Sequence, residues 1–142
     1  MKEIGELTLR ETLACTLWGE ARGESVTGMT AVAAVVMNRA KNPGWWGTTP
    51  RAVCLAHQQF SCWNDDDPNR LKMLRVADAP DDDYRSALAI VDRALAGNLP
   101  DPTHGADHYV MTNIIARTGW THGKTPCAVI GHHSFYKLGL GG

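Results

Sequence analysis

Apolar positions along the first forty residues recur at the spacing of packed helices. Leu9, Leu13 and Leu17 follow at i, i+4 and i+8, and Thr8 with Glu11 has capping-box spacing, so a helix is predicted from Thr8 toward Glu20. A second helix is predicted over residues 27–40. Met29, Val32, Ala33, Val36 and Met37 hold one face of it, and Ala31, Ala34 and Val35 widen that face until the helix is buried almost all round. Lys41-Asn42-Pro43-Gly44 stops it, and Thr49-Pro50 reads as an N-cap and first position of a helix of two turns at most. Residues 58–63 read as extended, with Gln59 and Ser61 on one face and Phe60 on the other. A polar loop over residues 64–69 leads to a short helical piece, residues 70–74. Tyr84, Leu88, Val91 and Leu95, preceded by Asp81-Asp82-Asp83 and followed by Gly97-Asn98, predict a helix over residues 82–96. Beyond Pro100 the texture changes to Gly, Pro, His and aromatics, and two extended pieces, residues 107–111 and 134–136, are expected to pair. The fold class expected is α+β, mainly α, in one domain over residues 1–142, with a small sheet or extended C-terminal lobe.

Within that pattern Glu20 falls three residues beyond Leu17, beside the buried stripe, where the first helix breaks onto Arg22-Gly23-Glu24. Partial desolvation there disfavours the charged carboxylate and raises its pKa, which suits a general acid working near neutral pH. A Glu-x-x-x-Glu pair with an intervening Arg is ordinarily a solvated surface feature. Position singles out Glu20 only. Glu24 is expected to be structural, satisfying N-terminal amides of the second helix or pairing with Arg22 or Arg39.

The 142 residues suffice for one core, and a net charge of -1 without a Lys/Arg run gives no footprint for nucleic acid or an anionic membrane surface. No apolar run reaches a membrane-spanning length of about 18 residues, and the acidic N-terminus lacks a signal core. Synthesis in the cytoplasm without a signal peptide and no stable membrane association are therefore expected. Cys15, Cys54, Cys62 and Cys127 form no C-x-x-C pair, so zinc-ribbon and thioredoxin readings fail. Free buried thiols are the default, and a Cys54–Cys62 bridge stays open. The acidic run 65–67 is read as a solvated loop or helix cap, lacking the Gly and distal Glu of an EF-hand.

Several blocks carry a resemblance: Glu20-Ala21-Arg22-Gly23-Glu24, the stretch 28–39 ending in Asn38-Arg39, Gln59-Phe60-Ser61, His108-Tyr109, and Gly131-His132-His133-Ser134-Phe135-Tyr136. In this order the chain resembles the spore cortex-lytic cell wall hydrolase family. The resemblance implies a lysozyme-like domain that cleaves peptidoglycan glycan strands, lytic transglycosylase chemistry as in the cortex-lytic members, and a catalytic acid at Glu20. A lytic transglycosylase can work with one carboxyl, because the C6 hydroxyl of muramic acid is the nucleophile and no water is consumed; most glycosidases use two. Gln59, Ser61, His108, Tyr109, Trp120 and Tyr136 are the expected sugar-binding residues, with Arg22 and Glu24 structural near the site. One or two of Trp45, Trp46, Trp63 and Trp120 are expected to line the groove. The chain is expected to act as a monomer, without cofactor or metal, on the wall after release. That is the logic of a phage endolysin, although a piece of a longer exported bacterial enzyme would look the same.

Three rivals are weighed against this reading. A hydrolytic muramidase would cut the same bond with water and a second acid. His104 and His108 have the i, i+4 spacing of a helical zinc pair, as in a wall peptidase, but Gly105 and Pro102 oppose a helix there and H-E-x-x-H is missing. His108 and His133 are instead expected to hydrogen-bond within the C-terminal lobe. A non-catalytic wall-binding module would have no pKa-shifted acid.

Overall fold

The structure is a computed structural model describing residues 1–57 and 59–141; Gln58, at the head of the segment expected to be extended, lies outside the described residues. Helix α1 spans Leu9–Ala21. Thr8 Oγ1 accepts from Glu11 N–H at 3.1 Å and Glu11 Oε1 accepts from Thr8 N–H at 2.9 Å, so both halves of the capping box form. Leu9 is left exposed at the first turn, while Thr12, Ala14, Cys15, Thr16 and Trp18 are buried together with Leu13 and Leu17. The helix is thus enclosed more widely than its leucine stripe predicts. Thr12 and Thr16 tolerate this because each hydroxyl donates to a carbonyl one turn back, at 2.9 and 2.8 Å.

Helix α2 spans Val26–Lys41, capped by Ser25 Oγ, which accepts from Gly28 N–H at 3.1 Å. Its Ala31, Val32 and Val35 have no solvent exposure, which fits the all-round burial expected of it. Each such valine contributes about 1.5–3 kcal/mol by leaving water. Helix α3, Pro50–Leu55, starts at the Thr49 cap as the Thr-Pro signal implies.

The extended reading of the next segment is wrong. Gln59 and Phe60 form a turn and Ser61–Trp63 is a 3-10 helix. The reason is burial: Phe60, Cys62 and Trp63 are all inside, and a strand with period two could not bury both Cys62 and Trp63 on one face. In a 3-10 turn residues i and i+3 eclipse, so Phe60 and Trp63 share a side. Trp63 Nε1 then donates to Thr16 Oγ1 at 2.9 Å on α1.

Helix α4 spans Asn69–Asp78, longer than the predicted piece because Met73, Leu74 and Val76 continue the buried face. Asp67 Oδ1 accepts from Asn69 N–H at 2.8 Å, and Asp65 pairs with Arg70, so the acidic run caps and solvates. Helix α5 spans Asp82–Leu95; the Asp81 cap accepts from Tyr84 N–H at 2.8 Å and also from Trp18 Nε1 at 3.0 Å. Helix α1 is central, with α2 to α5 packed around it.

The C-terminal third holds a three-stranded antiparallel sheet in the order β1-β3-β2: β1 His108–Met111, β2 Ala128–Ile130 and β3 His133–Tyr136. The register pairs His108 with Tyr136 and Tyr109 with Phe135. Two strands match the expected pair, and β2 is additional. Phe135 packs on Ala31 and Val35, seating the sheet against α2. The cysteines are free thiols, with Cys15, Cys54 and Cys62 buried. Among the described residues no helix is long and apolar enough to cross a membrane.

Candidate active site

The last turn of α1 brings Glu20 against the 3-10 turn at Ser61–Trp63. Gly19 permits this close approach, since a Cβ there would strike Met73 Sδ and lie 2.9 Å from Cys62 Cβ. Tyr109 reaches in from β1, and its hydroxyl donates to Glu20 Oε1 at 3.1 Å. Burial pushes the Glu20 carboxyl up to about 7; the Tyr109 hydroxyl and the Ser61 backbone amide pull it down, and the charge of Asp67 adds to the rise. The Tyr109 phenol is itself held well above its ordinary value, chiefly by burial and then by Glu20, so it remains a donor.

Glu20 opens into a cleft of ≈ 560 Å³ between the helices and the sheet. Of the expected sugar-binding residues, Gln59, Ser61, His108, Tyr109 and Trp120 line it. Tyr136 does not. Its ring is buried in β3, edge-on behind Trp120 with centroids 5.3 Å apart. His108 presents its ring but is fixed from behind, Nδ1 lying 2.8 Å from Asp107 Oδ1. Asp107 also accepts from Leu138 and Gly139 N–H, and this holds its carboxyl below the ordinary carboxylate range. Among the tryptophans, Trp120 and the half-exposed Trp45 line the cleft, whereas Trp46 is fully buried and Trp63 is buried beneath the neighbouring surface.

Glu24 makes neither of the arginine contacts expected of it. Arg22 lies over the Trp18 ring, 4.0 Å from its centroid, and donates to Asn69 Oδ1 at 2.6 Å. Arg39 is buried and donates to Asp107 O at 2.7 Å and Gln59 Oε1 at 3.3 Å. The amide of Gly28 in α2 is already taken by Ser25. Glu24 turns instead to the β2–β3 turn, where Oε1 accepts from His132 N–H at 3.2 Å and meets His132 Nδ1 at 3.1 Å. His104 and His108 share no helix: His104 sits in a turn at φ 60° and His108 opens β1.

Arg39, Trp45, Phe60, Met111 and His133 also line the cleft. The sequence carries a signal for Arg39, a cation three residues beyond Val36 on an otherwise apolar helix face. Met111 carries none, and His133, although part of the Gly131-to-Tyr136 block, carries no sign that it faces the cleft, since the sheet register aims both. A buried, protonatable carboxyl in an open cleft of aromatic rings, amides and hydroxyls has the chemistry that a glycosidase site requires.

Residues 23–136 match the cell wall hydrolase family, so the chain belongs to that family; Glu20 lies just before the matched region. The chain is similar to a spore cortex-lytic enzyme of Halalkalibacterium halodurans, 31% identical over 125 residues, covering 88% of this chain and 33% of that protein. It therefore spans about a third of that relative's length. Among solved structures it is similar to the catalytic domain of the germination-specific lytic transglycosylase SleB from Bacillus anthracis, at TM-score 0.71 and 26% identity, covering 91% of this chain and 93% of that one. It is also similar to the catalytic domain of the Bacillus cereus SleB protein, at TM-score 0.67 and 28% identity, covering 91% and 89%. The fold is thus the lysozyme-like, mainly helical one of these domains, with a small sheet.

Proposed function

We propose that this chain cleaves the β-1,4 bond between N-acetylmuramic acid and N-acetylglucosamine in peptidoglycan as a lytic transglycosylase, with Glu20 as the one general acid/base. The carrying observation is the Glu20 carboxyl, its pKa raised by burial to about 7, in a cleft lined by aromatic rings, amides and hydroxyls. In the first step Glu20 donates its proton to the leaving O4 as the C1–O4 bond breaks. Its carboxylate then accepts the proton of the muramic C6 hydroxyl as O6 bonds to C1, which regenerates the acid and leaves a 1,6-anhydro ring. Among the described residues no other carboxyl lines the cleft, which supports the one-acid route over hydrolysis by water and a second acid. Trp45 and Trp120 supply faces for stacking sugar rings.

On the same reading the chain works as a monomer on the wall, with no nucleic-acid or membrane partner, in the manner of an endolysin. Arg22 acts on the first residue of α4 and not on the sugar.

The test is Glu20→Gln, which keeps the shape and removes the titratable proton. Turnover of purified peptidoglycan should fall by about 10²–10⁴-fold, and native activity should survive chelation by EDTA. Native-level lysis by the variant would remove Glu20 from the reaction. Lysis stopped by EDTA and restored by zinc would move the chemistry to the histidines.

A further inference from the structure

His133 belongs to none of the chemistry described so far, yet its ring lines the cleft. Its Nδ1 is buried without a hydrogen bond, 3.4 Å from Glu24 Oε1, and the two side chains are 5% and 9% exposed. Glu24 is outside the lining of the cleft, so the ring bridges two environments. The Nδ1 edge faces the buried Glu24 carboxyl, and the ring is part of the cleft lining. The contact is built into the fold: Gly131, at φ +56°, closes the β2–β3 turn directly on the Glu24 carboxylate, where a Cβ would strike Oε2. The His133 ring stands edge-on to Tyr109, with centroids 5.1 Å apart, and Tyr109 is the residue that donates to Glu20.

We infer that Glu24 and His133 form a second polar unit of the cleft, in which Glu24 orients the imidazole with its proton on Nδ1 so that Nε2 accepts a hydrogen bond from a sugar hydroxyl beside Glu20. A carboxylate behind an imidazole fixes tautomer and ring orientation, and an oriented acceptor in a shielded site contributes more than the same group free in water. His133 is the substrate-contacting group and Glu24 the positioning residue. The inference rests on the reading of the cleft as a glycan site.

The groups that face His133 are Glu24 from the α1–α2 turn, Tyr109 from β1 and the adjacent His132. Burial lowers the imidazole's pKa below its ordinary value while Glu24 raises it. Protonation would remove the Nε2 acceptor, so activity should fall on the acid side with a midpoint below that of a free imidazole. Removing the Glu24 charge should move that limb to lower pH, the Glu24 carboxylate being what favours the imidazolium.

Two substitutions separate the edges of the ring. The amide of His133→Asn occupies the place of Nδ1 and leaves that of Nε2 empty, and His133→Gln does the reverse. The expected result is that His133→Asn loses about tenfold or more in kcat/KM on purified peptidoglycan while His133→Gln retains more activity. The Glu24→Gln variant should show the acid limb displaced downward. A His133→Asn variant as active as the native chain, or more active than His133→Gln, would overturn the proposal. If neither His133 variant folds, an unmoved acid limb in Glu24→Gln overturns it. Loss of activity in Glu20→Gln is independent of all three variants, so failure here leaves the reading of Glu20 standing, and failure there is recognised separately.

Discussion

Glu24 follows Glu20 by four positions, and the fold gives the two opposite surroundings. Glu20 ends α1 with its carboxyl in the cleft, supported by one phenol and one backbone amide, and burial raises its pKa to about 7. Glu24 lies one turn of chain later and is nearly as enclosed, but the β2–β3 turn meets it with the N–H of His132 and two imidazole edges. Enclosure alone therefore does not make an acid catalyst. What separates the two is the supply of donors: Glu20 meets one phenol and one backbone amide, whereas Glu24 is tied to the β2–β3 turn and serves as a scaffold.

The contrast breaks most visibly in turnover. Glu20→Gln should remove it, while Glu24→Gln, which leaves the proton of Glu20 in place, should keep kcat within about tenfold of native. Equal loss in two folded variants would mean that the acids share the chemistry.

Tyr109→Phe sharpens the Glu20 side. The hydroxyl stabilises the charged carboxylate, so its removal should raise the Glu20 pKa further and move the basic limb of the pH profile upward, with kcat down about tenfold. A basic limb that moves downward would show that Tyr109 does not hold Glu20 as described.

The smallest expected effect lies in stability. The folded-state pKa of Glu20 is raised from 4.5 to about 7, so the unfolded chain ionises first and the penalty on the fold grows as pH rises from 4.5 to 7, then stays constant. Glu20→Gln should therefore be more stable than the native chain at pH 8, by about 1–3 kcal/mol, and equal to it at pH 4. Glu24→Gln should instead be less stable by about 1 kcal/mol at pH 8, having lost its hold on the turn. Thermal denaturation at the two pH values reads both signs.

The helical half was largely legible because its information is local and periodic. The Thr8-Glu11 box, the apolar face of α2, the Thr49-Pro50 start and the Asp81 cap all act within a few residues, and all appear in the structure. The position of Glu20 beside the buried stripe was legible for the same reason. Residues 59–63 misled because their alternation looked strand-like, and only the tertiary demand to bury Trp63 against Thr16 selects the 3-10 turn. The C-terminal partners were the least visible. Tyr136 and His133 lie on one strand, and nothing local says that the tyrosine is packed behind Trp120 while the histidine reaches the cleft. That outcome depends on register with β1 and on the turn at Gly131 meeting Glu24, a contact across more than a hundred residues.

The central claim is that Glu20 works alone and the muramic C6 hydroxyl is the nucleophile. Mass spectrometry of muropeptides released from purified peptidoglycan tests it most directly. The account predicts glycan ends in 1,6-anhydro-N-acetylmuramic acid, lighter by one water than hydrolytic ends. Reducing N-acetylmuramic acid ends would contradict it, since water would then be the nucleophile and a second group would have to position it.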